Sequence, residues 1–401
     1  MATTPDAARF EIDPGELEET SERAAKRAAQ GDGPEIMAKL RAGESVDDAS
    51  LATLLYATDV ATDALYEFAR ASRPDGPPQI ETFSPLYFTN ECDGECKMCG
   101  MRSQNKLLRR ETADADTVRD QLDTLKRRGI HAVAVLAGEY RSGPYRKAML
   151  ARAAEATRDA IERDFSHVLI NVGSIEEDEY DEFLAGIPRQ EDGLLLPHVT
   201  MCTFQETYQP RIYSKFMGST PGNPRCDFGR RLANFDRAKE AGMRSANPGV
   251  LLGLNKDLGY ELLALCAHVK HLESRGMRVY ISLPRLRKAS GTEHLGGVSD
   301  DELTRMVSLI TARFPAAKVV ISTREAPEIQ QRLLPIIGVL TAGSPGVAPY
   351  SETSALFDVD ASQFSVADQR PFEAILADCL ATGATIDGYV PAPPTSPTPE
   401  L

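Results

Sequence analysis

Three cysteines crowd into eight residues and are the strongest chemical signal in this sequence. Cys92, Cys96 and Cys99 have the spacing C-x3-C-x2-C. Three thiolates on one short loop can bind three irons of a [4Fe-4S] cubane and leave the fourth iron open. An open iron can chelate the amino and carboxylate groups of S-adenosylmethionine, whereas a cluster held by four cysteines only transfers electrons. The spacing therefore predicts a [4Fe-4S] cluster and S-adenosylmethionine as cofactors.

A zinc site and three buried thiols are the alternatives for this triplet. Structural zinc takes four ligands, and the histidine nearest to the triplet in sequence is His131, more than thirty residues from Cys99. A distant fourth ligand leaves the zinc alternative open. The remaining cysteines form no second closely spaced set, and we expect ordinary buried or partly buried thiols at Cys202, Cys226, Cys266 and Cys379.

Strand-like and helical patterns alternate over about 300 residues around this triplet. Helical patterns end at Gly129, Gly242 and Gly276, and another begins at the capping box Ser299 to Glu302. We therefore predict an α/β fold, a (β/α)8 TIM barrel whose active residues follow the strand ends, with a doubly wound sheet as the alternative. The predicted strands are 82–89, 132–136, 168–172, 199–204, 250–254, 279–283, 319–322 and 337–340.

The segments that flank the barrel have different compositions. Residues 1–80 lack strand-like runs, carry apolar residues at helical spacing from Asp47 to Ala71, and close at a Pro/Gly-rich stretch, so a helical N-terminal extension is expected. Residues 81–390 form the predicted barrel. Residues 391–401 are rich in proline, serine and threonine, which predicts a disordered tail.

Composition and charge exclude several other classes. The hydrophobic and charged fractions, 42% and 26%, are those of an ordinary globular protein. A net charge of -14 argues against nucleic-acid binding, and no apolar run approaches the length of a membrane helix. The N-terminus shows no apolar signal segment, so we expect a cytoplasmic enzyme whose thiols serve a metal.

Polar residues follow most of the predicted strands and are candidates for cofactor binding. Gly138 lets the backbone approach a ligand, and the Glu139 carboxylate suits a ligand ammonium, with a solvated loop glutamate as the alternative. An amide and a carboxylate after the fourth strand, Gln205 and Glu206, suit the hydroxyls of a ribose. The other candidates at strand ends or on the following helix are Ser174 and Arg231.

Arg324 is the most informative of the residues at strand ends. A guanidinium at the mouth of a barrel can clamp a substrate carboxylate with two hydrogen bonds. An internal ion pair with Glu325 is the alternative. We expect surface positions for Arg237, which lies six residues from Arg231 on the same helical pattern, and for His268 and His271.

Taken together, these motifs resemble the aromatic amino-acid lyases of the radical S-adenosylmethionine superfamily. The resemblance covers about residues 80–390, and its details are most like those of the tryptophan lyase of nosiheptide-type thiopeptide pathways. It rests on ECKMC, MCTFQETY, DFGRRLANFDRAKEAGM, NPGVLLGL, SLPRL, STRE, GSPGVAPY and ASQFSVADQR. A hydrogenase-cofactor lyase carries a second cluster on C-terminal cysteines, and only Cys379 stands there, which counts against that branch.

The resemblance implies a reaction and a set of roles. A 5′-deoxyadenosyl radical would fragment L-tryptophan, and migration of the carboxyl fragment would give 3-methyl-2-indolic acid. Tyr87 and Arg324 match substrate-contacting residues, Thr341 stands where the tryptophan lyase has a serine, and Met98 stands where an aromatic residue often packs on adenine. A flavodoxin or ferredoxin is the implied electron donor. A tyrosine lyase giving p-cresol and dehydroglycine is one alternative, and a non-catalytic metal-binding scaffold is another.

Overall fold

The strands of the described residues form one curled, parallel sheet. The computed structural model describes residues 8–196, 198–292 and 297–391. The strand order is β10-β1-β9-β8-β7-β6-β5-β4-β3-β2. The strands are β1 (Gln79–Glu81), β2 (Ser84–Tyr87), β3 (Ala132–Leu136), β4 (His167–Asn171), β5 (Val199–Glu206), β6 (Ser245–Val250), β7 (Arg278–Ser282), β8 (Lys318–Ser322), β9 (Val339–Thr341) and β10 (Thr385–Asp387).

One chain segment, residues 79–87, contacts both ends of the row of strands. Its first half, β1, pairs with β9 and β10, and its second half, β2, pairs with β3. The Thr82 hydroxyl donates to the carbonyl of Leu340 in β9 at 2.8 Å, and the Ser84 hydroxyl donates to that of Ala342, just after β9, at 2.7 Å. The sheet therefore curls round into a barrel, which confirms the predicted (β/α)8 fold over the doubly wound alternative.

Helices lie between the strands and cover the outside of the sheet. The capping box at Ser299 is present, because its hydroxyl accepts from the Glu302 N–H while the Glu302 carboxylate accepts from Ser299. The helices are α1 (Pro14–Gln30), α2 (Gly33–Arg41), α3 (Asp48–Tyr56), α4 (Thr62–Ala71), α5 (Ala115–Arg127), α6 (Pro144–Glu162), α7 (Glu177–Phe183), α8 (Pro210–Met217), α9 (Phe228–Leu232), α10 (Asn234–Glu240), α11 (Leu258–Ser274), α12 (Asp300–Arg313), α13 (Pro327–Leu333) and α14 (Phe372–Ala381).

Two predicted elements were wrong in detail. The fifth predicted strand, 250–254, is displaced, since β6 ends at Val250 and includes Pro248 and Gly249, two residues that rarely signal a strand. Pairing with β5 and β7 on both sides keeps this segment in the sheet. This pairing outweighs the low strand propensity of proline and glycine. The predicted helix over 228–241 is divided into α9 and α10 at Ala233.

The predicted helical extension consists of α1 to α4, which pack against α11 and α12 on the outside of the barrel. The division at residue 80 stays a prediction. Of the predicted tail, only Pro391 lies within the described residues. Among those residues no helix combines the length and the apolar character needed to cross a bilayer.

Arg305 of α12 ties this extension to the barrel. Its guanidinium donates to the main-chain carbonyls of Ala57 at 2.7 Å and Val60 at 2.8 Å, and also to those of Leu54 and Leu55 at the end of α3. The side chain is buried, so its removal would leave four carbonyl groups without this partner.

We expect Arg305→Met to lower the free energy of unfolding by about 3–5 kcal/mol, measured by chemical denaturation. The matched control is Arg332→Met, because Arg332 pairs with Asp63 and both side chains are largely exposed. Its effect should stay within about 0.5 kcal/mol. Equal effects of the two substitutions would contradict the anchoring role of Arg305.

Candidate active site

A cavity of about 190 Å³ opens at the carboxyl ends of the barrel strands. It brings together the cysteine triplet and most of the predicted strand-end residues. The lining residues that had been predicted are Tyr87, Cys92, Cys96, Met98, Cys99, Gly138, Glu139, Glu206, Arg231, Arg324 and Thr341. This is the end at which barrel enzymes carry their active sites.

The three cysteines lie on the loop after β2 and all line the cavity. The Cys92 sulfur accepts from the N–H groups of Gly94 at 3.2 Å and Glu139 at 3.3 Å, which favours a thiolate. Burial nevertheless raises the pKa of Cys92 to about 11. A buried thiolate here therefore needs a cation, and the all-sulfur donor set suits iron. In the described residues the sulfurs are not yet gathered into a coordinating group.

Gly138 supports this loop directly. A Cβ atom at this position would lie 2.1 Å from the Glu91 carbonyl oxygen and 2.7 Å from the Cβ of Cys92. Any side chain would displace the cysteine loop. The protein's own cysteine loop is thus one reason for the glycine, and the predicted approach of its backbone to a ligand stays a prediction, since Gly138 also lines the cavity.

The Glu139 carboxylate is not solvated, so the alternative is wrong. It is paired with arginines of the protein, so a ligand ammonium would have to share it with them. Its carboxylate lies 3.0 Å from both Arg230 and Arg231 and 3.8 Å from Arg225. It also accepts from the Ser174 N–H at 3.1 Å. Burial alone would raise the pKa of Glu139, but the three guanidinium charges outweigh it and hold that pKa below its usual value. The buried carboxylate thus organises a cationic wall of the cavity.

Arg231 reaches the cavity as predicted, and it also donates to the Phe204 carbonyl at 3.0 Å. Glu206 lines the cavity and pairs with Arg225 at 2.9 Å. Gln205 and Ser174 are buried but are not among the lining residues. Because side chains alternate along a strand, Phe204 and Glu206 face the cavity and Gln205 faces away. The expected amide–carboxylate pair is therefore not formed in the cavity, and contact of Glu206 with a ribose stays a prediction.

Arg324 lies just after β8, and its guanidinium lies 3.4 Å from the centre of the Phe364 ring. In the described part of the chain no carboxylate lies within 4.0 Å of it. The alternative, an ion pair with Glu325, is wrong, because Glu325 binds Arg285 and Arg287 instead. Burial lowers the pKa of Arg324 to about 10, so the group stays charged at neutral pH. The charged guanidinium of Arg324 can therefore bind an anion that enters the cavity.

Tyr87 and Thr341 lie in the same cavity, at the ends of β2 and β9. The Tyr87 hydroxyl donates to the Gln363 Oε1 at 2.5 Å. Met98 lines the cavity and packs in an apolar cluster with Leu251 and Leu254. A flexible apolar side chain at this point suits the flat face of a purine, which remains a prediction.

Two predicted surface positions were wrong. Arg237 is buried and donates to the Ile175 carbonyl at 2.8 Å. His268 is 1% exposed and stacks on Phe10, with ring centres 4.3 Å apart. The residues before α1 cover this face of the barrel, a contact that local helical patterns do not reveal. The other four cysteines are confirmed as buried or partly buried thiols.

Arg225, Gln363 and Phe364 are site residues that the sequence reasoning missed. Arg225 was visible as one of three arginines within seven residues, a dense run at the start of the predicted helix over 228–241. Gln363 and Phe364 belong to the motif ASQFSVADQR, which contributed to the resemblance but received no role. Their place in the cavity depends on how the chain returns after β9.

Comparisons with known proteins identify relatives. The chain is 25% identical to 2-iminoacetate synthase of Escherichia coli, over 76% of both chains, and 24% identical to that of Salmonella typhimurium, with the same coverage. HydG, a maturase of [FeFe]-hydrogenase, superimposes with a TM-score of 0.77 and 26% identity, over 94% of this chain and 80% of HydG. No family model matches.

Two further structures share the fold. HydG from Carboxydothermus hydrogenoformans has a TM-score of 0.76 and 22% identity, over 94% of this chain and 85% of that one. Methylornithine synthase has a TM-score of 0.67 and 19% identity, over 88% and 97%. These likenesses agree with the predicted parallel barrel, whose three-cysteine loop follows β2, and with the predicted cofactors, one [4Fe-4S] cluster and S-adenosylmethionine.

These relatives agree with the coarser part of the predicted resemblance, a radical S-adenosylmethionine enzyme of the aromatic amino-acid lyase type. These matches do not test the more specific prediction, that the chain is a tryptophan lyase.

Proposed function

We propose that this protein is a radical S-adenosylmethionine lyase that acts on an aromatic amino acid. Arg324 carries the proposal, because it is a charged guanidinium without a carboxylate partner among the described residues, and it shares one cavity with the three cysteines. A free α-carboxylate is the planar anion that a guanidinium binds with two hydrogen bonds. Cys92, Cys96 and Cys99 would hold the cluster.

When bound, the two cofactors supply a carbon-centred radical that removes a hydrogen atom from the amino acid. The chain's own residues hold the substrate in reach. Arg324 binds the carboxylate, and the Phe364 ring behind it fixes the guanidinium plane. The Tyr87 hydroxyl and the Thr341 side chain line the same part of the cavity.

The remaining cavity walls suit an aromatic ring. Apolar side chains from β3, from β8 and from the residue before β2 line the floor, and they exclude water from the reacting atoms. These floor residues are Phe83, Ala134, Leu136 and Val320. The cationic wall of Arg225 and Arg231 lies on another side, near the cysteine loop, and would face the polar groups of S-adenosylmethionine.

We propose L-tryptophan as the substrate and 3-methyl-2-indolic acid as the product, on the strength of the tryptophan-lyase motifs and the hydroxyl that Thr341 keeps.

A second candidate is a tyrosine lyase that gives p-cresol and dehydroglycine. It is favoured by the two curated relatives, whose name describes synthesis of 2-iminoacetate, which is dehydroglycine. A flavodoxin or ferredoxin donor and a cytoplasmic location stay predictions.

We expect the protein, purified without oxygen and incubated with S-adenosylmethionine, a reductant and L-tryptophan, to form 3-methyl-2-indolic acid detectable by mass spectrometry. A parallel incubation with L-tyrosine is the control. Formation of p-cresol would assign the second candidate. Cleavage of neither amino acid by a protein with an intact cluster would overturn the lyase proposal, and a colourless zinc protein would support the scaffold alternative.

A further inference from the structure

Small polar side chains from neighbouring strands form a cluster in the cavity that we call the floor group: Cys202 of β5, Asn247 of β6 and Ser282 of β7. Each of them lines the cavity and is at most 4% exposed. Cys202 packs in the same apolar cluster as Val320, and Ser282 is paired with Val320 between β7 and β8. Because Arg324 comes after the end of β8, the floor group lies deeper in the barrel than this arginine.

A gap in the sheet fixes the amide of Asn247. The register between β6 and β7 is interrupted at Pro248, which has no N–H to donate. The Asn247 NH2 group enters the gap and donates to the Tyr280 carbonyl at 3.1 Å. Since a carbonyl only accepts, this bond identifies the NH2 end of the amide. The amide oxygen is thereby turned toward Cys202 and Ser282.

Hydrogen bonds within the floor group use its donors and leave an acceptor. The Asn247 NH2 group also donates to the Ser282 Oγ at 2.9 Å. The Asn247 oxygen accepts from the Ser282 hydroxyl at 3.2 Å and from the Cys202 thiol at 3.3 Å. A hydroxyl oxygen can accept twice, and in the part of the chain that the structure describes only Asn247 donates to the Ser282 Oγ. One acceptor position on the wall of the cavity therefore stays free.

We infer that the Ser282 oxygen is a specificity-determining acceptor for a hydrogen-bond donor on the substrate ring, an N–H or O–H group, and that the floor group rejects a ring without such a donor. The inference deepens the proposed function and rests on it in one respect. It takes Arg324 to hold the carboxylate, so that the ring points toward the floor.

The expected selectivity follows from the burial of this acceptor. A ring without a donor would displace water from the Ser282 oxygen and leave it without a partner, which costs free energy. A site built to bind an N–H or O–H group rejects an analogue that lacks it far more strongly than an apolar pocket rejects a change in size. Tryptophan and tyrosine both carry such a donor, and phenylalanine does not.

Two pairs of ligands that differ only in the ring donor test this inference. L-tryptophan is compared with L-3-benzothienylalanine, in which sulfur replaces the N–H group, and L-tyrosine is compared with L-phenylalanine. The Kd of each is measured by isothermal titration calorimetry on the holoenzyme with S-adenosylmethionine and without a reductant, so that no turnover occurs. We expect the wild type to bind the ligand with the donor roughly 5–100-fold more tightly in at least one pair.

Ser282→Ala should remove this preference by weakening only the ligand with the donor, because Asn247 keeps its bond to the Tyr280 carbonyl. The matched control is Ser308→Ala, which removes the same hydroxyl from a fully buried serine of α12 that does not line the cavity. It should keep the wild-type preference.

The comparison of ligands in the wild type tests the inference even if Ser282→Ala fails to fold. A wild type without a preference in either pair would overturn the inference. The same holds for Ser282→Ala with the wild-type preference, or with an equal loss of affinity for both members of a pair, which is the effect of a hydroxyl that only supports the fold. Failure of the proposed function looks different, because the wild type would then bind none of these amino acids or form no product from a bound one.

Discussion

Replacing Arg324 by alanine is expected to lower kcat/KM for the aromatic amino acid by at least about 30-fold and to leave the cluster spectrum intact. The Arg324 guanidinium lines the cavity and has no carboxylate within 4.0 Å in the described ranges, so its loss would leave the proposed substrate carboxylate buried without this partner. Truncating one partner of such a charge pair costs about 2–5 kcal/mol. The rate is measured by product formation under anaerobic conditions.

Arg324→Lys sharpens this prediction. Lysine keeps the charge but cannot form two parallel hydrogen bonds or stack flat on the Phe364 ring. We expect it to recover only a small part of the lost activity. Arg332→Ala, at an exposed ion pair far from the cavity, is the control and should leave turnover unchanged. Unchanged turnover in Arg324→Ala would remove the carboxylate clamp from the mechanism.

The barrel and the place of the cysteine loop were predictable from the sequence because both depend on local patterns. Strand periodicity located β3 at residues 132–136, and glycine stops located the helix ends. The same reasoning placed Arg324 at a strand end and hence at the cavity. Parallel strands bring all their carboxyl ends to one side, so locating the strand ends along the sequence is enough to gather these residues.

The partners of these residues were not predictable, because they come from distant parts of the chain. Glu139 was expected to meet a ligand, but it meets arginines from α9 and the loop before it, about ninety positions later. Gln205 was expected in the cavity, but the end of β5 turns it away. Gln363 received no role, because its side chain bonds to Tyr87, which lies 276 positions earlier in the chain. A pattern within one segment carries no information on such pairings.

Replacing any one cysteine of the triplet by alanine is expected to remove most of the bound iron and to abolish product formation. A cubane needs the three thiolates to stay in place, because one open iron is already required for S-adenosylmethionine. The sites at Cys92 and Cys96 lie in a buried environment that raises both pKa values, so a metal has to hold the thiolates in the folded protein. Iron and sulfide content and the visible spectrum measure the effect.

Cys226→Ala is the matched control for this series. Cys226 is a half-buried free cysteine outside the triplet, and it is not among the residues that line the cavity. We expect it to keep wild-type iron content and activity. The zinc alternative predicts a different outcome, because a structural zinc site would lose zinc in the triplet variants and unfold. Triplet variants that retain the fold, monitored by circular dichroism, but lose iron and activity together would therefore distinguish a catalytic cluster from a structural metal, since the barrel core is built from apolar strands that do not depend on the loop.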